Sequence, residues 1–299
     1  MSQNTEGVIP HGLLYTVVID EYKHYEHLEK VRGAVGETIP ALRRLGFAHQ
    51  PVDLVGDGTW PMVSAALQEW SPPIDRPVML YWTGHGRPVD VRGDLCLLYS
   101  DSPASLIKDT EQAMTATRLG GLIAQRRVKR AILLVDACNA GGGADEVISA
   151  FNRRRKLAGE RDGSELRLAV ITSAFGTQAA SELAFSEALR TILTTDDSYF
   201  RPRDRWLTVD DIYSALQAAL ADSGQNPDIQ TAGSIGAVFL NPWHIPNLPD
   251  VLVEAKTSAA AAIAATGAEH FLLKFRGIDV LTDQGWFFTG RQYTWERLR

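Results

Sequence analysis

Two short motifs contain the residue types of nucleophilic catalysis: YWTGHG at 81–86 and LLVDACNAGG at 133–142. Each is an apolar run that ends at a reactive side chain beside glycine, His85 in the first and Cys138 in the second. A thiol is mostly protonated at neutral pH, and a neighbouring imidazole can take its proton and later give it to a leaving amine. The two motifs therefore predict a cysteine nucleophile with a histidine base.

The residues beside the reactive pair are candidates for stabilising a reaction intermediate. A tetrahedral intermediate needs hydrogen-bond donors for its negative oxygen, and backbone N–H groups near glycine are accessible donors. Gly86, directly after His85, and Cys138 itself are the candidate donors. The glycines at 141–143 are expected to keep the loop after the thiol open and mobile. The second cysteine, Cys96, is interpreted as an inert core residue.

The elements that must position these side chains are strands that end at the two motifs. The apolar runs 77–83 and 130–137 are predicted strands, and 95–100 is predicted to be an additional strand or hairpin arm. Other predicted strands lie at 13–19, 51–55, 166–174 and 234–240. Runs that are apolar throughout are typical of parallel sheets covered on both faces. We expect a three-layer α/β fold with a mainly parallel six-stranded sheet, helices on both faces, and the active groups at the carboxyl ends of strands.

Composition narrows the class of protein. The 299 residues are 45% hydrophobic and carry a net charge of −6, which gives no basic field for binding nucleic acid. Two cysteines argue against a disulfide scaffold. The polar amino terminus does not resemble a signal peptide, and no apolar run approaches the roughly 18–20 residues that span a bilayer. We expect a cytoplasmic protein without a membrane partner.

The motifs resemble those of the caspase-like cysteine peptidases, in particular bacterial members close to metacaspases and paracaspases. GHG at 84–86 is similar to the family's His-Gly element, and DACNAGG at 136–142 is similar to its Asp-x-Cys element. The histidine precedes the cysteine by roughly 50 residues, as in caspases, and ITSAFGTQAASE at 171–182 resembles the strand and loop that follow. The resemblance covers about 10–240 and implies a peptidase domain at 1–240.

By this resemblance, His85 and Cys138 form the catalytic dyad, and Gly86 with Cys138 forms the oxyanion hole. The implied substrate is a protein or peptide, and the chemistry requires no cofactor. Metacaspases often use calcium as an activator, and the sequence assigns no ligands for it.

Two acidic residues are candidates for the substrate pocket. Asp136 lies two residues before Cys138, so in an extended chain both side chains point the same way. A carboxylate at the pocket floor attracts a cation and repels an acid, and the resemblance to metacaspases and paracaspases implies cleavage after arginine or lysine. The alternative for Asp136 is a strand-end carboxylate that caps nearby N–H groups. Asp20, at the end of the first strand, is a second candidate, with a purely structural role equally open.

A basic segment follows the cysteine motif. The chain between the cysteine strand and the next strand, about 139–165, is expected to be an exposed loop. Its basic residues are Arg153, Arg154, Arg155, Lys156 and Arg161. Such a run is often only a solvated surface. The alternative is a self-processing site within 152–161, because these side chains suit an acidic pocket.

The last segment, 241–299, is interpreted as a linker and extension. Its end resembles the lead-in to a STAND-type ATPase module of bacterial caspase fusions, which implies an effector in antiviral defence or regulated cell death. The chain contains no GxxxxGK[ST] phosphate loop. Two rival functions stay open: a catalytically silent interaction module that keeps the fold, and a nucleotide-binding α/β domain.

Overall fold

The fold of the protein was obtained as a computed structural model. It describes residues 11–50, 58–88, 95–105, 112–159, 166–174, 183–195, 198–201, 204–244, 272–273, 280–281, 285–289 and 292–296. The strands of the first half are β1 (Gly12–Val18), β2 (Phe47–His49), β3 (Val78–Thr83), β4 (Gly86–Pro88), β5 (Leu95–Leu98), β6 (Ala113–Thr115) and β7 (Arg130–Asp136). Those of the second half are β8 (Arg167–Thr172), β9 (Trp206–Leu207), β10 (Asp228–Ala232), β11 (Phe239–Leu240), β12 (Leu272–Leu273), β13 (Val280–Leu281), β14 (Gly285–Thr289) and β15 (Gln292–Glu296). The α-helices are α1 (Val31–Arg43), α2 (Trp60–Glu69), α3 (Ala116–Gln125), α4 (Ala140–Leu157), α5 (Ala184–Arg190) and α6 (Val209–Leu220).

A six-stranded sheet forms the centre, in the order β10-β8-β7-β3-β1-β2. The strands from β8 to β2 are parallel to their neighbours, and β10 is antiparallel to β8. The predicted mainly parallel six-stranded sheet is confirmed. In such a sheet, the carboxyl ends of β1, β3 and β7 lie at one edge, where the sequence places its candidate residues.

Helices cover both faces of the sheet, and β1 and β3 are therefore buried along their length. On one face, Leu80 and Trp82 of β3 and Leu133 of β7 belong to the apolar core that includes Val63 of α2 and Phe151 of α4. This surface is called the α4 face below. Side chains alternate along a strand, so the intervening residues point the other way.

The opposite side of the sheet, called the α1 face below, packs against α1, and α5 packs beside α1. Tyr81 of β3 reaches across it, where its hydroxyl lies 2.9 Å from Ser186 Oγ of α5. Thr38 of α1 donates to the Ser186 carbonyl at 3.4 Å. The strand residues Val18, Thr83 and Asp136 stand in register across β1, β3 and β7 and share this face.

Three predicted elements need comment. The run 234–240 was predicted to be the last strand of the sheet, which is wrong: β10 occupies that place, while β11 pairs with β9 in a separate ribbon. β10 is a polar edge strand, DIQTA, and lacks the apolar signal of buried strands. The predicted arm 95–100 contains β5, the middle strand of a three-stranded antiparallel sheet with β4 and β6. The predicted strand 51–55 lies outside the described residues.

The chain divides into two compact units. One comprises 1–200 with 206–242, and the other comprises 201–205 with 243–299. In the second unit, β12 pairs with β13 and β14 with β15, both antiparallel. Among the described residues, no helix is long and apolar enough to cross a bilayer.

The close approach of α3 and α4 at Gly120 should be important for the stability of the fold. A Cβ atom on Gly120 would lie 2.1 Å from the Val147 carbonyl oxygen, whereas one on Gly121 meets nothing within 4 Å. Gly120→Ala should therefore lower the free energy of unfolding by about 1–3 kcal/mol, because the helices must move apart. Gly121→Ala is the matched control and should be neutral or stabilise by up to about 1 kcal/mol. Urea unfolding of both variants measures the difference, and equal effects would contradict the packing described.

Candidate active site

The register of β3 and β7 brings the two predicted catalytic residues to the same place. Thr83 pairs with Asp136 at the last position of both strands. The contact continues beyond the strands, because Gly84 N–H donates to the Asp136 carbonyl at 3.2 Å. His85 and Cys138 each follow two residues after this pair. Both are partly exposed, so a substrate can reach them from solvent.

Two glycines allow the chains to approach this closely. Gly84 has a φ of +151°, and a Cβ there would lie 2.6 Å from the Tyr22 hydroxyl. A Cβ on Gly86 would lie 2.3 Å from the Cys138 carbonyl oxygen. A side chain at Gly84 would push the histidine segment away from Ile19 and Tyr22, and one at Gly86 would push it away from the cysteine segment. The glycines on both sides of His85 are therefore structural requirements of the site.

The loop after β1 orients the imidazole of His85. Its Nε2 atom lies 2.8 Å from the Glu26 carbonyl oxygen. A carbonyl oxygen only accepts hydrogen bonds, so in this contact Nε2 carries the hydrogen. In the neutral ring, Nδ1 is then the basic nitrogen. This arrangement fixes which nitrogen of His85 can take a proton.

Tyr22 holds the backbone of the same histidine. Its hydroxyl accepts a hydrogen bond from His85 N–H at 2.7 Å and donates one to the Ile19 carbonyl at 2.9 Å. The two rings lie 4.6 Å apart between centroids. Burial raises the pKa of Tyr22, so the hydroxyl stays protonated and can keep both bonds. Sequence reasoning missed Tyr22 and Glu26; a tyrosine soon after the first strand gives no sign that it will meet β3.

The thiol lies at a sharp turn from strand to helix. Cys138 follows β7, and Asn139 takes a left-handed conformation with φ of 60° before α4 begins at Ala140. This conformation is uncommon for residues other than glycine and is often found at functional sites. The start of an 18-residue helix also favours negative charge nearby.

The backbone pairing of β4 with β5 determines where the Gly86 N–H points. Leu98 N–H donates to the His85 carbonyl, while Gly86 stands opposite Leu97. Because hydrogen-bonded and non-hydrogen-bonded pairs alternate in an antiparallel ladder, the Gly86 N–H and carbonyl point away from β5. Asn139 Nδ2 donates to that carbonyl at 3.3 Å. The Gly86 N–H therefore faces the turn that contains Cys138.

Asp136 is buried on the α1 face beside the turn. Its Oδ2 atom accepts a hydrogen bond from Ser186 Oγ at 3.1 Å and from the Tyr81 hydroxyl at 3.3 Å. Burial raises the pKa of Asp136 to about 6, although hydrogen bonds to its carboxylate, from Ser186 first, oppose the rise. A nearby cation would stabilise the ionised form of this buried carboxylate. Hydroxyl groups bind this carboxylate, whereas the capping alternative predicted backbone N–H donors.

Asp20, the second pocket candidate, lies at the end of β1 and is 8% exposed. Arg32, in the first turn of α1, donates to both carboxylate oxygens, from Nε to Oδ2 at 2.7 Å and from Nη2 to Oδ1 at 2.5 Å. No sequence pattern predicted that Arg32 would be the partner of Asp20. Asp20 is thus a carboxylate that holds a guanidinium group in two-point contact.

A cavity of about 420 Å³ opens between α1 and α5 on the α1 face. It is lined by Lys30, Gly33, Ala34, Glu37, Thr38, Leu183, Ser186, Glu187 and Arg190. Ser186 links the cavity to the site because its hydroxyl binds Asp136. The lining of the cavity contains basic and acidic side chains.

The basic segment is not the loop predicted from the sequence. α4 runs through Leu157, so Arg153, Arg154, Arg155 and Lys156 lie in its last two turns, while Arg161 lies outside the described residues. The expectation of an open loop at 139–165 is therefore wrong for 140–157. The helix forms because its apolar stripe is buried on the α4 face.

The glycines after the thiol are part of the same helix. The expectation of an open, mobile stretch at 141–143 is also wrong, since Gly141 and Gly143 are buried in its first turn. A Cβ on Gly143 would lie 2.5 Å from Leu95 Cβ. Gly143 therefore permits close packing of α4 against β5.

The remaining candidates are the second cysteine, Cys96, and possible ligands for calcium. Cys96 is fully buried in β5, which fits its interpretation as a core residue. Within the described ranges, no group of three or more His, Cys, Asp or Glu side chains is arranged to hold a metal ion. The described part of the chain thus offers no assignment of calcium ligands.

Comparison with known proteins bears on the fold. The chain is similar to caspase-1 from Spodoptera frugiperda, with a TM-score of 0.52 and 10% sequence identity, over 81% of this chain and 93% of that chain. No protein-family model and no curated protein matches the chain. At this identity the similarity shows the fold alone: the chain has a caspase-like α/β fold.

The raised pKa of Asp136 predicts a pH-dependent stability. Between about pH 4 and 6 the folded protein holds a proton that the unfolded chain releases, so the free energy of unfolding falls as the pH rises. Over this range the loss is roughly 3 kcal/mol. Asp136→Asn removes this titration, so its stability relative to wild type should increase from pH 4 to pH 7 by a similar amount.

Urea unfolding at half-unit pH steps measures this difference. Asp145→Asn, at an exposed position of α4, is the matched control and should not reproduce the change. Parallel stability curves for wild type and Asp136→Asn would show that the carboxylate does not titrate in this range.

Proposed function

We propose that the chain is a cysteine endopeptidase in which Cys138 is the nucleophile and His85 is the base. The observation that carries the proposal is the parallel register of β3 and β7, which ends both strands level and two residues before the reactive side chains. The caspase-like fold supports it, because active groups of such sheets collect at this edge.

The proposed reaction uses these groups in sequence. Nδ1 of His85 takes the thiol proton, and the Cys138 sulfur attacks the substrate carbonyl carbon. The N–H groups of Gly86 and Cys138 stabilise the negative oxygen of the tetrahedral intermediate. The imidazolium then protonates the leaving amine, and water hydrolyses the acyl-enzyme to release the acid and restore the thiol.

We further propose that the substrate carries arginine or lysine before the scissile bond. Asp136 ends β7 two residues before Cys138, and Asp20 follows β1 and binds Arg32 of α1, so both carboxylates belong to the carboxyl ends of the strands. Asp136 is shielded from water and Asp20 already binds a guanidinium, so a basic side chain suits this region and an acidic one would be repelled.

The biological setting is proposed from sequence resemblance alone. In it, the chain acts as the effector of a bacterial defence or cell-death system together with a STAND-type ATPase. The 241–299 segment, whose end carries that resemblance, is described only in part.

Replacement of the dyad tests the reaction. Cys138→Ala should abolish cleavage of fluorogenic peptides, and His85→Ala should reduce kcat by several orders of magnitude, because the nucleophile and its base act as a unit. Peptides with arginine or lysine before the scissile bond should be cut in preference to peptides with aspartate.

Cys96→Ala is the matched control, since it removes the other thiol from the fold and should leave the activity in place. Turnover by purified Cys138→Ala would contradict the assignment of the nucleophile. Preference for aspartate would contradict the proposed pocket while leaving the dyad intact.

Self-processing within 152–161 is a separate prediction. Because a peptidase binds an extended chain and Arg153 to Lys156 are helical, cleavage there requires the end of α4 to unfold first. Cleavage should therefore be slow and depend on the thiol. Intact-mass spectrometry of wild type and Cys138→Ala, with and without calcium, should show fragments ending at Arg153, Arg154, Arg155, Lys156 or Arg161 only in wild type. A wild-type chain that stays whole while it cleaves peptides would show that the segment is only a solvated helix end.

A further inference from the structure

The ion pair between Arg32 and Asp20 reproduces the contact that a substrate arginine would make. The guanidinium donates through Nε and Nη2 to both carboxylate oxygens, at 2.7 Å and 2.5 Å. This two-point geometry is specific to arginine, because a lysine ammonium cannot match both oxygens in one plane. The structure therefore has a guanidinium site that is filled by the chain itself.

This pair lies at the edge of the sheet that carries the reactive residues. Ile19 N–H, directly before Asp20, donates to the Thr83 carbonyl at 3.1 Å. Tyr22, two residues after Asp20, holds the His85 backbone. Asp20 is thus fixed to the histidine segment from both sides.

The two partners differ in how much they depend on each other. The Asp20 side chain is only 10% exposed, whereas the Arg32 side chain is 57% exposed. A shielded carboxylate requires a cation, but a half-exposed guanidinium can return to water at little cost. The arginine is therefore the partner that can leave, provided another guanidinium replaces it.

We propose that Arg32 is an internal competitor of the substrate: it occupies the guanidinium site on Asp20 and is displaced when a substrate arginine binds. The inference rests on the proposed function for the identity of the competing ligand, an arginine side chain in an extended peptide. The ion pair then selects for arginine substrates, because a peptide without a guanidinium cannot replace the contact between Arg32 and Asp20 that it would break.

Substrate binding is weakened because Arg32 occupies the site in some of the molecules. The apparent dissociation constant equals the intrinsic constant divided by the fraction of molecules in which the site is free. If that fraction is about 10–30%, the apparent dissociation constant and KM for arginine peptides are raised about 3- to 10-fold. Arg32→Gln should therefore lower KM for arginine peptides by this factor and leave kcat unchanged. Arg43→Gln, at an exposed position of the other end of α1, removes the same charge and should have no such effect.

Binding is measured separately from catalysis in the Cys138→Ala background. The probe is N-acetyl-arginine amide, with N-acetyl-glutamine amide as the uncharged comparison, titrated by calorimetry or NMR. Arg32→Gln should tighten the arginine probe about 3- to 10-fold and leave the glutamine probe unchanged. Adding Asp20→Asn should remove the gain, because it removes the carboxylate that both guanidinium groups share.

The outcomes separate this inference from the proposed function. If Arg32→Gln leaves probe affinity and KM unchanged or weakens them, the ion pair only ties α1 to β1 and the inference is overturned, whether or not wild type is a peptidase. If the arginine probe binds Arg32→Gln more tightly but no variant cleaves peptides, the occupancy of the site by Arg32 is supported and the proposed reaction is contradicted. Arg32→Lys keeps the charge, and, should Arg32→Gln not fold, it must still tighten the probe because a lysine holds Asp20 less well.

Discussion

The parallel pairing of β3 with β7 is the constraint on which the rest of the site depends. Thr83 stands opposite Asp136, so two strands distant in the chain end at the same level. A shift of this register by one residue would move every side chain of one strand to the other face. The glycines on either side of His85 extend the constraint beyond the strands, because a Cβ on Gly86 would collide with the Cys138 carbonyl and one on Gly84 would collide with the Tyr22 hydroxyl.

Around this pairing the protein places groups that are unfavourable for stability. Asp136 is buried with a raised pKa, and Asn139 holds a left-handed backbone conformation at the turn to α4. Such features persist where the surrounding structure fixes them, and they concentrate at sites where charge or strain serves function. Asp136 and Asn139 lie within two residues of Cys138 in the chain, and His85 follows the paired strand β3.

The buried strands of the central sheet, and the residues that follow their ends, could be predicted from the sequence. Runs such as 77–83 and 130–137 are apolar throughout, and this pattern has few structural solutions. The apolar pattern did not predict β10, whose residues are polar because an edge strand does not need to be buried. It also failed for α4, since glycines that suggest a loop can equally permit a helix to pack closely against β5.

The contacts that orient the site could not be predicted for a different reason. Tyr22, Glu26 and Arg32 act through a loop and a helix end that meet the strands only in the folded chain. Their hydrogen bonds depend on backbone positions that no local pattern encodes. The sequence predicts which side chains react, whereas the three-dimensional structure shows which groups contact the predicted histidine.

The central claim is that Cys138 is a nucleophile activated by His85 in a site that accepts arginine. Its most direct test is treatment of the protein with a peptidyl-arginine chloromethyl ketone, followed by mass-spectrometric mapping of the labelled residue. The account predicts rapid labelling of Cys138, none of Cys96, and labelling that is at least tenfold slower, as an order of magnitude, in His85→Ala. Labelling at Cys96, or labelling of Cys138 at the same rate without His85, would contradict it.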